Sequence, residues 1–214
     1  MDIDTLLAAR VHALRKAQGL TLEQLAQASG VSRSMISQIE RGASSPTAAV
    51  LSKLAAALQV PLAALFDMAA PGQAPSPLAQ AEQQPCWTDP ASGYQRRNLT
   101  PPGYGAPLEL VEVRFPAGQS VTFDHHAPAP RAAVHQQLWL LEGALVLTVG
   151  AQRWQLVAGD CLAMEVSQPI VFANPFGQPA RYVLAQMQAT PPLFSLAATT
   201  TAAASATTTA RTLP

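Results

Sequence analysis

Charge is scarce in this chain: only 12% of its 214 residues are acidic or basic, and 13 Asp and Glu balance 13 Lys and Arg. A formal net charge of zero excludes a bulk neutraliser of nucleic acid, so any DNA contact has to come from a local patch. Cysteine is nearly missing. Cys86 and Cys161 stand far apart and form no CxxC pattern, which argues against a disulfide scaffold and against a thiolate metal cluster. No apolar run reaches the length of a membrane span. The first residues, MDIDTLLAAR, carry acids where a signal peptide needs a basic start. The expectation is a soluble, cytoplasmic protein. Its length suffices for two small domains with cores of their own. Proline is plentiful, at 19 residues, which together with many alanines points to loops and linkers.

The stretch from Thr21 to Gly42, TLEQLAQASGVSRSMISQIERG, organises the rest. Thr21 is a good N-cap, and Gln24 stands three residues on, where a capping-box partner belongs. Leu22, Leu25 and Ala26 share one helical face. Ser29-Gly30 stops that helix, since Gly30 can take the positive φ of a sharp turn. Ser32 caps a second helix that buries Ile36 and Ile39. Its other side carries Arg33, Ser34, Ser37, Gln38 and Arg41, which are polar and include no acid. Ala26 is small where two helices cross near a tight turn. The pattern is a helix-turn-helix whose second helix has the chemistry of a major-groove reader.

Gly19-Leu20-Thr21, Leu25-Ala26, Gly30-Val31-Ser32, Ile36-Ser37 and Ile39-Glu40-Arg41-Gly42 resemble the lambda-repressor-like (XRE) helix-turn-helix family. The resemblance continues through Pro46 and Leu51-x-x-Leu54-Ala55-x-x-Leu58-x-Val60. It implies a five-helix, all-α domain of bacterial type over residues 1–68, and a structural pair between Arg15 and Glu40. It also implies base contacts from Arg33, Ser34 and Gln38. Ser37 lies beside them, Arg41 is placed for a phosphate, and Thr21 and Ser32 cap the helices at the interface. Around this core, Asp4 to Gln18 reads as a first helix, with Leu7, Val11 and Leu14 facing inward and His12 solvated. Ser45-Pro46 is expected to open a fourth helix, with proline at the first helical position. Its core face is Leu51, Leu54, Ala55 and Leu58. Pro61 is expected to open a short fifth helix through Leu65-Phe66.

Composition shifts at Ala69. Residues 69–85 have proline and glutamine but little to bury, and read as a linker. Residues 191–214 end in Ala/Thr low complexity, for which disorder is the expectation. Between them, residues 86–190 hold nine short runs of β-formers, from Tyr94–Leu99 to Tyr182–Met187, separated by Gly, Pro, Asn and Asp. Such spacing points to an all-β sandwich or barrel. Leu141–Ala144, Val149–Gln152 and Ala158–Asp160 read as hairpin turns.

Pro116-Ala117-Gly118, Trp139-Leu140-Leu141-Glu142-Gly143, Val157-Ala158-Gly159-Asp160 and Asn174-Pro175 resemble a cupin, a small jelly-roll barrel. Enzymatic cupins bind a divalent metal through three His and a Glu. Counted against that pattern, the Glu position falls on Gln136 and the last His position on Ile170. Glutamine is a poor ligand and isoleucine is none. Asp124, His125, His126 and His135 remain. They read either as solvated loop residues or as a rearranged metal site of Asp124, His126 and His135. With period two, Gln136 faces inward together with Leu138 and Leu140, as do Ile170 and Phe172. With His126 these residues form either the wall of a small-molecule pocket or part of a filled core.

The tandem resembles the XRE–cupin type of bacterial transcriptional regulator. It implies a homodimer that binds double-stranded operator DNA at paired half-sites. The barrel would dimerise the chain and sense a small-molecule effector, with no cofactor and no catalytic residues. The competing expectation is a metal-dependent cupin isomerase or dioxygenase targeted by its helix-turn-helix. A third is a helix-turn-helix that mediates protein contacts.

Overall fold

The computed structural model describes residues 3–60, 62–66, 76–123 and 134–188. The N-terminal part has four α-helices: α1 (Ile3–Ala17), α2 (Leu22–Ser29), α3 (Arg33–Glu40) and α4 (Ala48–Ala57). A 3₁₀ turn, Leu62–Phe66, follows them. It stands where a fifth α-helix was expected. Five residues close little more than one turn, and the tighter 3₁₀ winding suffices to bury Leu65 and Phe66. The fourth helix also starts later than expected. Thr47, not Ser45, caps it by accepting a hydrogen bond from Val50 N at 3.3 Å. Ser45 is engaged elsewhere, donating to Asp4 Oδ1 at 2.9 Å. Leu7, Val11, Leu25, Ile36, Ile39, Leu51, Leu54 and Leu58 form the helical core and are buried.

The implied tie between α1 and α3 is present as a buried fork. Arg15 donates from Nε to Glu40 Oε1 and from Nη2 to Oε2, both at 2.6 Å, and from Nη1 to Leu20 O at 2.8 Å. His12 is not merely solvated: its Nδ1 lies 2.9 Å from Glu40 Oε2 although the ring stays exposed. Burial alone would raise the Glu40 carboxyl, but the hydrogen bonds from Arg15 and His12, together with their charges, hold it below the ordinary glutamate range.

The C-terminal part is all β. Its ten strands are β1 (Cys86–Thr88), β2 (Gln95–Asn98), β3 (Leu108–Phe115), β4 (Ser120–Phe123), β5 (Val134–Glu142), β6 (Ala144–Val149), β7 (Gln152–Val157), β8 (Cys161–Val166), β9 (Ile170–Ala173) and β10 (Ala180–Gln188). They pair antiparallel in a six-stranded sheet, β1-β2-β3-β10-β5-β8, and a four-stranded sheet, β4-β9-β6-β7. The inner faces meet where Phe172 of β9 stacks on Tyr182 of β10, with centroids 6.0 Å apart and an interplanar angle of 11°. All nine expected strands are found, and β1 is additional.

Only one of the three expected hairpins is a hairpin. Gly150-Ala151 joins β6 to β7 with Val149 paired to Gln152. Glu142-Gly143 and Ala158-Gly159-Asp160 instead carry the chain from one sheet to the other. At the first of these corners Gly143 has φ +77°, and a Cβ there would stand 2.5 Å from the Pro179 carbonyl oxygen. The second is tied to β5 by Leu140 N donating to Asp160 O at 2.9 Å and Gly159 N to Leu140 O at 2.8 Å.

The two parts are packed on each other. Phe66, Trp87, Tyr94 and Phe115 form a chain of rings with successive centroids 5.9 Å apart. Asp89, buried in the loop after β1, accepts from Ala48 N at the start of α4 at 3.0 Å.

Arg15→Met should cost about 3–5 kcal/mol, since it strands a buried carboxylate. Because the folded-state pKa of Glu40 is depressed, its contribution is complete above the ordinary glutamate value of about 4.3 and is lost as pH falls through the lower folded value. Urea denaturation from neutral to acid pH should show Glu40→Gln less stable than the native protein at neutral pH. The gap should narrow as pH drops through that window.

Candidate functional site

Two regions gather polar chemistry: the outer face of α3 and an interior cavity. The first is built by local sequence. The Thr21 hydroxyl accepts from Gln24 N at 3.1 Å and Gln24 Oε1 accepts from Thr21 N at 2.8 Å, which starts α2 with a complete capping box. Gly30, at φ +67°, ends α2 in the left-handed conformation and turns the chain into α3. Val31 buries in that turn. Ser32 then caps α3, accepting from Met35 N at 3.2 Å, and its hydroxyl lies 3.2 Å from that of Ser34. Ile36 and Ile39 anchor the inner side.

The anchored helix turns Ser34, Gln38 and Arg41 to solvent on one stripe, with Ser37 half-buried beside them. Arg33 and Met35 flank the stripe, and both are exposed. Arg33 Nε lies 3.9 Å from Glu23 Oε2, but these side chains are 68% and 78% exposed, so the pair holds the guanidinium only weakly. Arg41 Nε donates to Ser37 O at 3.1 Å and closes the end of the helix. The structure thus brings the expected reader residues together on a surface without an acid of its own. Met35, 41% exposed, is the residue that sequence reading passed over. Its place on the wheel, opposite Arg33, was the available signal.

The second region is a cavity of about 520 Å³ between the sheets and the helical part. Of the expected pocket residues, Gln136, Ile170 and Phe172 line it. Leu138 and Leu140 do not; both are fully buried in the core, because the sheets close on each other further along β5. His126, His125 and Asp124 lie outside the described residues. His135 is exposed and points away from Gln136, on the outer side of β5, so it is not part of an inward-facing metal set. Among the described residues no three His, Cys, Asp or Glu side chains stand close enough to hold a metal ion.

Sequence reading missed most of the wall. Ser52, Ala55 and Ala56 of α4 close one side, and Tyr94, Arg96, Glu109 and Val113 of the β2–β3 region close another. Tyr94, Arg96 and Asn98 are all buried, so period two on β2 was a usable signal for the inward Arg96. Across the same sheet Gln136 Nε2 donates to Gln186 Oε1 at 3.2 Å, and Gln186 Nε2 donates to the Glu109 carboxylate. These three are cross-strand partners on β5, β10 and β3. Burial pushes the phenols of Tyr94 and Tyr182 up, and the nearby Arg96 charge only partly opposes this, so both hydroxyls keep their protons at neutral pH.

Residues 11–65 match a family model described as HTH_3, helix-turn-helix. Over 78 residues the chain is 41% identical to the HTH-type transcriptional regulator SutR of Escherichia coli (strain K12), covering 36% of this chain and 42% of SutR. It thus spans less than half the length of that relative. Over 184 residues it is 26% identical to the HTH-type transcriptional regulator PuuR of the same organism, covering 85% of this chain and 94% of PuuR. The crystal structure of an HTH_3-family transcriptional regulator from Vibrio cholerae superposes with a TM-score of 0.69 at 26% identity, covering 86% of this chain and 96% of that one. All three of these similar proteins are transcriptional regulators. Among the described residues no helix is long and apolar enough to cross a membrane. Residues 11–65 thus match the HTH_3 helix-turn-helix model, at the head of a chain similar along most of its length to bacterial transcriptional regulators.

Proposed function

We propose that this chain is a cytoplasmic, sequence-specific regulator of transcription that binds operator DNA as a homodimer and responds to a small-molecule effector through its β domain. The observation that carries the reading is the outer face of α3. There a capped helix displays Arg33, Ser34, Gln38 and Arg41 together, with its apolar side locked into the core. Near the N-terminal end Arg33 can bind guanine in bidentate fashion, and Gln38 can bind adenine. Arg41, at the far end, suits a phosphate, and Met35 offers an apolar contact to a thymine methyl. Thr21 and Ser32 hold the two helix starts that face the DNA backbone.

The β domain has the part of effector module. An antiparallel double sheet around a cavity supports a cupin-type reading of residues 86–190, with residues 1–68 as reader and 69–85 between them. Its walls are mainly apolar with a few polar groups, the usual make-up of a small-molecule site. A single helix-turn-helix reads few base pairs, so useful specificity requires two readers about one DNA turn apart. The outer face of the six-stranded sheet is a suitable dimer surface. Trp139 on β5 is 53% exposed there, beside Val183 on β10, and Leu110 on β3 is exposed on the same face.

Arg33→Ala and Gln38→Ala should each cost about 1–3 kcal/mol on the operator and relax preference at one base pair. Arg41→Ala should weaken all sequences alike and lower the salt slope by about one. The measurement is a gel shift with genomic fragments, including the protein's own promoter, followed by titration against scrambled DNA at two salt concentrations. Full operator preference in folded Arg33→Ala and Gln38→Ala proteins would remove α3 from the reader role.

Trp139→Glu should shift the solution mass from two chains to one, as measured by light scattering at micromolar concentration without DNA. A native protein with the mass of one chain would refute the dimer.

A further inference from the structure

The cavity wall holds a buried charge whose hydrogen bonds are only partly made: Arg96 interacts with the Tyr94 hydroxyl, but not through every donor. Arg96 is 4% exposed, and neither its Nε nor its Nη2 has a hydrogen-bond partner. Its guanidinium carbon lies 5.4 Å above the ring of Phe66, which covers one face of the plane but satisfies no N–H. Leaving charged donors buried and unmade is among the costlier arrangements a fold can carry. The two orphaned nitrogens lie on one edge of the guanidinium, and that edge matches a carboxylate with two parallel hydrogen bonds. The same molecule displays the match elsewhere: Arg15 uses Nε and Nη2 to grip Glu40, each bond at 2.6 Å. Arg96, which lines the cavity, has the equivalent edge buried and unpaired.

A second unsatisfied atom lies three strands away on the same sheet. Gln136 Oε1 is buried without a donor, because the amide of Gln136 is oriented by its bond to Gln186. The rest of the lining is mainly apolar and aromatic, with Phe123, Ile170 and Phe172 among it, and its one carboxylate among the described residues, Glu109, accepts from Gln186 Nε2.

We propose that the cavity binds a small organic acid whose carboxylate is forked by the Arg96 edge and whose apolar or aromatic body lies against Phe172. A ligand N–H or O–H at the opposite end would satisfy Gln136 Oε1. This deepens the effector half of the function proposed above and rests on it. Because Ser52 and Ala56 of α4 form part of the wall, the bound acid touches the reader domain directly.

The test uses the full chain without DNA, so that a failed operator assay and a failed ligand assay remain separable. Thermal denaturation is followed with butyrate, hexanoate, octanoate and 4-phenylbutyrate, each beside its own amide. At least one acid should raise the melting temperature dose-dependently while its amide does not. Calorimetry with that acid should give an affinity reduced about tenfold or more in Arg96→Lys, which keeps the charge but loses the fork, and undetectable in Arg96→Met. No response to any acid, an equal response to the amides, or full affinity in a folded Arg96→Met protein would each overturn the proposal. The comparison of acid with amide on the unaltered protein decides the matter even if a substitution impairs folding.

Discussion

Contact between the last turn of the helical part and the first strands of the β part is the constraint on which the rest of this molecule depends. Phe66 ends the one and Trp87 begins the other, and their rings meet at 5.9 Å. From Trp87 the stack passes through Tyr94 to Phe115 in the middle of the large sheet. Burying aromatic surface at this junction fixes α4 over the open end of the sheets. The cavity exists because that placement closes it. Phe66, at the same junction, covers one face of the Arg96 guanidinium.

A different logic holds the reading face. Outward residues of α3 do not anchor it: Ile36 and Ile39 are buried and Glu40 is clasped by Arg15. The clasp is polar although its surroundings are apolar. It confers geometry more than net stability, because a forked pair tolerates only one relative placement of α1 and α3. Separation of anchoring from display lets the exposed positions vary with the DNA they face.

Local signals were legible in the sequence. The capping box of Thr21 and Gln24, the left-handed Gly30 and the Ser32 cap are all set within a few residues, and each is present. Strand positions were legible for the same reason, being written in β-former runs between turn residues. Features decided by distant partners were not. Glu142-Gly143 carries hairpin chemistry, yet the chain changes sheets there, which depends on β6 finding β9 and not β5. The cap of α4 passed from Ser45 to Thr47, and Ser45 is hydrogen-bonded to Asp4 instead. Strand β1 is three residues long, too short to announce itself. The side of the cavity formed by Ser52, Ala55 and Ala56 was invisible because it comes from α4, and nothing in the pattern of a helix says what another domain will lay against it.

Asp89 gives the junction a further meaning. Its carboxylate reaches from the β part to the first N–H of α4, and its other oxygen is held by Ser92 N at 3.0 Å and Ser92 Oγ at 2.5 Å. One of the orphan donors that every helix start exposes is thus satisfied by a residue 41 positions away. The helical head is not a cassette that could be excised and grafted onto another body. Its fourth helix is completed by a loop belonging to its neighbour, so any chimera that exchanges heads among such regulators must carry the Asp89–Ser92 loop across with them, or accept a frayed α4 at the very seam through which the two halves are joined.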